Sequence, residues 1–259
     1  MDALMYEQHF RLEDRHWWFL GRRELVLQEL RRFAGQQPGP ILDLGCGTGG
    51  MLAHFAQLAD AVGLDSAPEA ASACIKRGLP FVRGWGTCLP FPNESFGVVT
   101  ALDVIEHIPD ESGVLREALR VLRPSGLLVV TVPAYQFLWS RHDELNHHQR
   151  RYRRRSLAAV LQRAGFEIAK LSYYNTLLFP AAVGRKALMR FSRVDGPASH
   201  LDEVPGPLNA ALRRVLLCEQ PLVRHWDLPF GASLICVARR PLKVVSRPTV
   251  PTPAAVAAR

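Results

Sequence analysis

The run Ile41-Leu42-Asp43-Leu44-Gly45-Cys46-Gly47-Thr48-Gly49-Gly50 constrains this chain more than any other stretch. Residues 41–44 read as a short buried strand that ends at alternating glycines. A pattern of helical period follows from Met51 to Leu58. Strand, tight turn and helix start present backbone N–H groups to a nucleotide-like ligand. Glycine lacks a Cβ, so the turn can take left-handed dihedrals and a ligand can approach the chain closely. Gly45, Gly47 and Gly50 also satisfy G-x-G-x-x-G, the dinucleotide fingerprint. A second apolar run, Ala61 to Leu64, ends in Asp65, at the distance expected of an acid that binds ribose hydroxyls. Asp43 and Asp65 are thus expected at the ends of adjacent parallel strands, facing one crevice.

These features fit NAD and S-adenosylmethionine equally, and the next segments separate them. Residues 95–102 read as a third buried strand. Asp103-Val104-Ile105-Glu106-His107-Ile108-Pro109-Asp110 follows, then a helix near 111–122, a turn at Leu122-Arg123-Pro124-Ser125-Gly126 and a strand from Leu127 to Val132. Here the chain resembles the class I S-adenosylmethionine-dependent methyltransferases, especially the quinone-biosynthesis type. The matching pieces are D-L-G-C-G-T-G (43–49), G-L-D (63–65), L-P-F (89–91), D-V-I-E-H-I-P-D (103–110) and L-R-P-S-G (122–126), in family order and spacing. The resemblance covers about 38–170. It implies an α/β, Rossmann-like, doubly wound seven-stranded sheet, mostly parallel with the last strand antiparallel, plus helical cap elements. It implies S-adenosyl-L-methionine as cofactor, bound by Asp43, Gly45, Cys46, Gly47, Gly49, Asp65, Ser66, Gly86, Thr87, Asp103 and Val104.

Two positions depart from the family. An acid usually precedes L-P-F and contacts the adenine, whereas here the stretch is Gly84-Trp85-Gly86-Thr87-Cys88. Trp85 is read as a core residue, with stacking near the adenine as the alternative. The family's Phe-Asp at the start of the fourth strand is Phe96-Gly97 here.

A chain of 259 residues suffices for one α/β domain with insertions. Its five cysteines are scattered and odd in number, which argues against a disulfide framework and for a reducing compartment. The N-terminus shows no signal-peptide pattern, and no apolar run is long enough to span a bilayer. A cytoplasmic location is expected, with peripheral contact at the inner membrane surface as a further reading. The net charge of +8 favours anionic partners.

Three parts are expected: an N-terminal helical cap over 1–38, the methyltransferase domain over 39–240 with a helical insertion at 175–231, and a disordered tail at 241–259. Residues 5–34 read as helical, with Trp17 and Trp18 placed to line a substrate pocket and Arg22 or Arg23 to meet the methionine carboxylate. Strands are expected near 40–44, 61–65, 79–82, 96–102, 127–132, 166–174 and 233–239, each separated by a helical segment. The insertion carries helical stretches at 176–193 and 207–224 joined by 196–207. Its apolar run Thr176–Gly184 is followed by Arg185, Lys186 and Arg190, which suits either a cap helix or an interfacial membrane helix.

Methyl transfer to a hydroxyl is helped by a base, and histidine is tuned for that near neutral pH. The candidates are His107, His142, His147 and His148, the first three carried forward as catalytic. No metal is expected. The loop 133–155 leaves the fifth strand at the crevice mouth, and its Trp139, Arg150 and Tyr152 are expected at the substrate. The leading reading is methyl transfer to an oxygen or carbon nucleophile of a small molecule that is quinone-like, lipid-linked or sugar-containing. A cofactor-binding protein without turnover, an RNA-associated enzyme using the basic 150–155 run and an NAD-dependent oxidoreductase are the alternatives. Nucleic acid ranks low as a partner because no RNA-binding motif accompanies the arginines.

Overall fold

Alternating apolar residues place the central strands between two helical layers. On the fifth strand Leu128, Val130 and Val132 join one core cluster, while Leu127 and Val129 join the other. The structure is a computed structural model, and it describes residues 3–191 and 204–242. Within them β1 (Ile41–Leu44), β2 (Ala61–Asp65), β3 (Phe81–Arg83), β4 (Phe96–Leu102), β5 (Leu122–Pro133), β6 (Glu167–Tyr174) and β7 (Ser233–Arg239) form one sheet. The order is β3-β2-β1-β4-β5-β7-β6. The first five of these pair in parallel, and β7 runs antiparallel to both β5 and β6. The expected sheet is therefore present. Chain order reverses between β1 and β4, and the crevice beyond their carboxyl ends is the ligand position in such sheets.

One helical layer consists of α5 (Glu111–Val121) and α7 (Arg154–Arg163), which pack Leu115 and Leu161 onto the sheet. The other holds α2 (Trp17–Ala34), α3 (Gly50–Phe55) and α9 (Gly206–His225), with Val26, Phe55 and Val223 buried between them and the strands. The remaining helices are α1 (Ala3–Leu12), α4 (Pro68–Lys76), α6 (Arg141–Leu145) and α8 (Phe179–Phe191), with a 3-10 turn at Gln136–Leu138.

Several local expectations are corrected. The single helix over 5–34 is two helices, because the buried His16 side chain accepts from the Trp18 N–H at 3.4 Å and starts α2 anew. No helix separates β3 from β4; residues 84–95 form an irregular loop. The turn at 122–126 lies inside β5, where Ser125 takes a φ of 63° and the register shifts between Phe96 and Val98. Gly97 replaces the family's acid for a steric reason: a Cβ there would lie 2.1 Å from the Pro38 carbonyl oxygen. Most of the 196–207 link and of the 241–259 tail lies outside the described residues.

Candidate active site

The glycine turn joins β1 to α3. Gly45 has a φ of 68°, and a Cβ on it would come within 2.5 Å of Val104. Gly47 has a φ of 53°, and its missing Cβ would meet nothing within 4 Å. The backbone therefore borders open space that a ligand can fill. The Gly47 N–H donates to Asp65 Oδ2 at 3.1 Å, and the Ala67 N–H donates to Oδ1 at 3.0 Å. These bonds hold the Asp65 carboxylate beside the turn. Asp43 is buried and accepts from Thr100 Oγ1 at 2.6 Å. Burial pushes its carboxyl up to about 7, against the pull of that hydrogen bond. Just past β4, Asp103 takes a φ of 56°, accepts from Thr131 Oγ1 at 3.1 Å and pairs with Arg22 of α2. Arg22, expected at the methionine carboxylate, thus ties the N-terminal helix to the strand end.

One cavity of about 1130 Å³ spans this region. Asp43, Gly45, Cys46, Gly47, Asp65 and Ser66 line one side. Gly86, Thr87, Asp103 and Val104 line it too, as do Trp17, Trp18, His107 and His142. His107 Nδ1 lies 2.7 Å from the Asn146 carbonyl oxygen, which requires Nδ1 to carry the proton and leaves Nε2 as an acceptor. Burial, with His148 adding to it, lowers the His107 pKa to about 4. Burial likewise lowers His142 to about 4.

The loop after β5 is organised by Asp143, which is buried. It accepts from His148 Nδ1 at 2.8 Å, from Arg151 Nε at 2.7 Å and Nη2 at 2.9 Å, and from the Ser140 N–H at 2.8 Å. Burial opposes ionisation, but these donors outweigh it and hold the carboxyl below the usual range. Glu106 is fully buried on the cavity wall, and neither carboxyl oxygen has a hydrogen-bond partner among the described residues. Burial first, then Asp103, raises its pKa well above the usual value. Potential ligand atoms on Glu106, His107 and His148 lie within 4.8 Å of one another, where no metal was expected.

Other predicted residues fall outside the cavity. Gly49 is turned away from the ligand space, and a Cβ on it would face Leu79 and Cys74 at 3.0 and 3.1 Å. His147 is exposed at a φ of 56°, off the cavity wall. Arg150 is drawn to Glu111 at 3.2 Å and to the Pro109 carbonyl at 3.1 Å. Tyr152 is buried, with its hydroxyl donating to Glu111. Trp139 is half-buried beside the cavity, its carbonyl accepting from Lys186. Trp85, read as core, is 70% exposed and lines the cavity. Sequence reasoning missed Tyr6, His9 and Glu13 on the wall. Their spacing, i, i+3 and i+7, is the face signal of one helix, continued a residue past α1. Tyr6 donates to Asp65 Oδ1 at 3.4 Å, and Glu13 accepts from the Gly50 N–H at 3.1 Å.

A Methyltransferase domain family model matches residues 18–171, more than half of the chain. The chain belongs to this family. A probable S-adenosylmethionine-dependent methyltransferase of Mycolicibacterium smegmatis is 37% identical over 164 residues, 61% of this chain and 62% of that protein. Ajmaline N-methyltransferase of Rauvolfia serpentina is 28% identical over 64% of this chain and 59% of its own length. The phthiotriol/phenolphthiotriol dimycocerosates methyltransferase of Mycobacterium leprae is 41% identical, over 34% of this chain and 35% of its own. The chain thus spans about three fifths or less of these curated relatives. Among solved structures, phosphoethanolamine N-methyltransferase 2 of Haemonchus contortus, in complex with S-adenosyl-L-methionine, superposes with a TM-score of 0.56 at 17% identity. That match covers 83% of this chain and 52% of the other. The [4+2]-cyclase SpnF also scores 0.56, at 22% identity and 85% and 81% coverage. The fold is thus the class I, Rossmann-like methyltransferase fold, and S-adenosyl-L-methionine is the cofactor of the family. The open space over Gly47, with Asp65 anchored beside it, fits that group.

Proposed function

We propose that the protein transfers a methyl group to an oxygen or carbon nucleophile of a small molecule. The observation that carries this reading is a single cavity. It joins the glycine turn and Asp65 to His107, His142 and two tryptophans, with room for a cofactor and an acceptor together. The cofactor supplies a methyl group on a sulfonium, and the chain supplies placement. Asp65 and the Gly45–Gly47 backbone bind and orient it, while Trp17 and Trp18 cover the cavity and exclude water. His107 keeps a neutral ring with Nε2 as an acceptor at neutral pH, so it can take a hydroxyl nucleophile's proton, though its lowered pKa makes it a weak base. The acceptor class we favour is lipid-linked or quinone-like. Trp17, Trp18 and Phe19 of α2 and Leu178, Ala181 and Ala182 around the start of α8 put apolar surface beside the cavity's Arg22, Arg23, Arg185 and Lys186, which supports it, as does the likeness to a methyltransferase of dimycocerosates.

The RNA-associated reading is weakened by the fate of the basic run. Arg150, Arg151 and Arg154 are held by Glu111, Asp143 and Asp227. The test is methyl-labelled cofactor with a cell extract, partitioned into organic, small aqueous and macromolecular fractions. Asp65-dependent label in the organic phase is the expected result. Label in macromolecules refutes the small-molecule reading. Asp65→Ala should weaken cofactor binding by at least about tenfold, as loss of hydrogen bonds to a charged group does. Cofactor binding without label in any fraction favours the non-catalytic alternative.

A further inference from the structure

We propose that the face built by the 3-10 turn, the segment entering α8 and the loop before β7 docks on an anionic lipid bilayer. Three separate stretches of chain bring their apolar side chains together there without burying them. Phe137 and Phe179 have ring centroids 6.4 Å apart, and Phe179 and Phe230 5.7 Å apart. Tyr135 lies against them, 5.3 Å from Phe137 and 5.4 Å from Phe179, and stacks on Tyr173 at 5.2 Å. Thr176 Oγ1 donates to the Phe230 carbonyl at 2.6 Å, tying the segment that enters α8 to the loop before β7. Phe137 and Leu177 are each 50% exposed and Phe230 is 43% exposed. Single exposed apolar residues need no explanation, but a contiguous cluster fixed by ring contacts does.

Charge selects the occupant. Arg153 and Arg155 are exposed on either side of Arg154, whose N–H donates to the hydroxyl of Tyr173 at 3.1 Å, and Tyr173 stacks on Tyr135. Arg185 and Lys186 of α8 line the cavity instead, with Lys186 donating to the Trp139 carbonyl. The acid of the 226–230 loop, Asp227, is engaged by Arg154 and Lys170. Projecting aromatic tips with arginines beside them match the boundary between lipid headgroups and acyl chains, where aromatic rings concentrate and cations meet anionic lipid. No described helix is long and apolar enough to cross a membrane.

The same segment links this face to the cavity. Leu178, Ala181, Ala182 and Lys186 line the cavity wall, while Phe179 belongs to the outer cluster. The sequence left Thr176–Gly184 open between a cap helix and an interfacial membrane helix. In the fold that run is divided between cavity and surface. Docking through the outer side brings the cavity to the bilayer, where a lipid-linked acceptor resides; this consequence rests on the acceptor class proposed above, whereas docking itself does not.

The test is co-sedimentation of the full chain with vesicles of phosphatidylcholine alone or mixed with phosphatidylglycerol. Binding to the mixed vesicles is expected, with at least about tenfold weaker partitioning for the Phe137→Ser, Phe179→Ser, Phe230→Ser triple variant, since insertion needs both apolar and electrostatic contributions. Arg153→Glu with Arg155→Glu should weaken binding without abolishing it. An unchanged thermal melt and cofactor titration for each variant confirm its fold. Absence of wild-type binding at low salt overturns the proposal. So does equal binding by the triple variant, or equal binding to both vesicle types. Failure of the wild-type chain to bind cofactor instead refutes the methyl-transfer reading and leaves the vesicle result standing.

Discussion

Buried Asp43 and half-buried His107 on the cavity wall have opposite effects on the pH dependence of this protein. His107 has a folded pKa of about 4, below the ordinary histidine value of about 6.5. The native state therefore binds fewer protons than the unfolded chain between those values, and stability through this group is lost as pH falls from about 6.5 to about 4. His107→Gln removes that loss. Denaturant melts at pH 7 and pH 4 should show the variant gaining on the wild type by on the order of 2–3 kcal/mol as pH drops. Asp43 behaves in the reverse sense. Its folded pKa of about 7 lies above the ordinary aspartate value of about 3.9, so its contribution to stability declines as pH rises across that window. A cationic cofactor reverses part of this cost by favouring the ionised carboxylate. Calorimetric titration with S-adenosylmethionine should show affinity rising from pH 6 to pH 8 in the wild type, and a flatter response in Asp43→Asn.

At the scale of elements, ion pairs and caps decide how the cap helices meet the sheet. Arg22 anchors α2 to the end of β4 through Asp103, and Glu13 anchors the end of α1 to the Gly50 N–H and to Arg77 at 2.6 Å. Arg22→Met leaves Asp103 with a charge and no cation, which should cost about 3 kcal/mol in a chemical melt. Asp103→Asn in the same background should restore part of it. Element types were readable because strands buried on both faces read as continuous apolar runs and the glycine turn needs left-handed backbone. The break at His16 was not readable, because a buried histidine that caps α2 resembles any other helical residue in a string of letters. The irregularity at Ser125 was hidden too, since a turn inside a strand and a turn between elements have the same composition.

At the scale of the whole molecule, α2 and α9 meet across 192 residues of chain between the Trp17 N–H and Asn209 Oδ1, at 2.8 Å. A Cβ on Gly21 would lie 2.4 Å from Leu216, so glycine permits this close approach. Gly21→Val should therefore destabilise the fold by about 1–3 kcal/mol. It should also impair acceptor turnover more than cofactor affinity, because Trp17, Trp18 and Leu212 from these helices line the cavity remote from the glycine turn. Thermal melts paired with cofactor titration and label transfer check both parts.

The sequence by itself determined the strands, the turn, Asp65 and the order of motifs, because periodicity and glycine dihedrals act over a few neighbouring residues. Only the tertiary structure decided which side chains of the 133–155 loop face the cavity. Asp143 recruits His148 and Arg151, while Glu111 withdraws Arg150 and Tyr152. A polar or aromatic side chain in an irregular loop takes its direction from partners distant in sequence, and those partners exist only once the chain has folded.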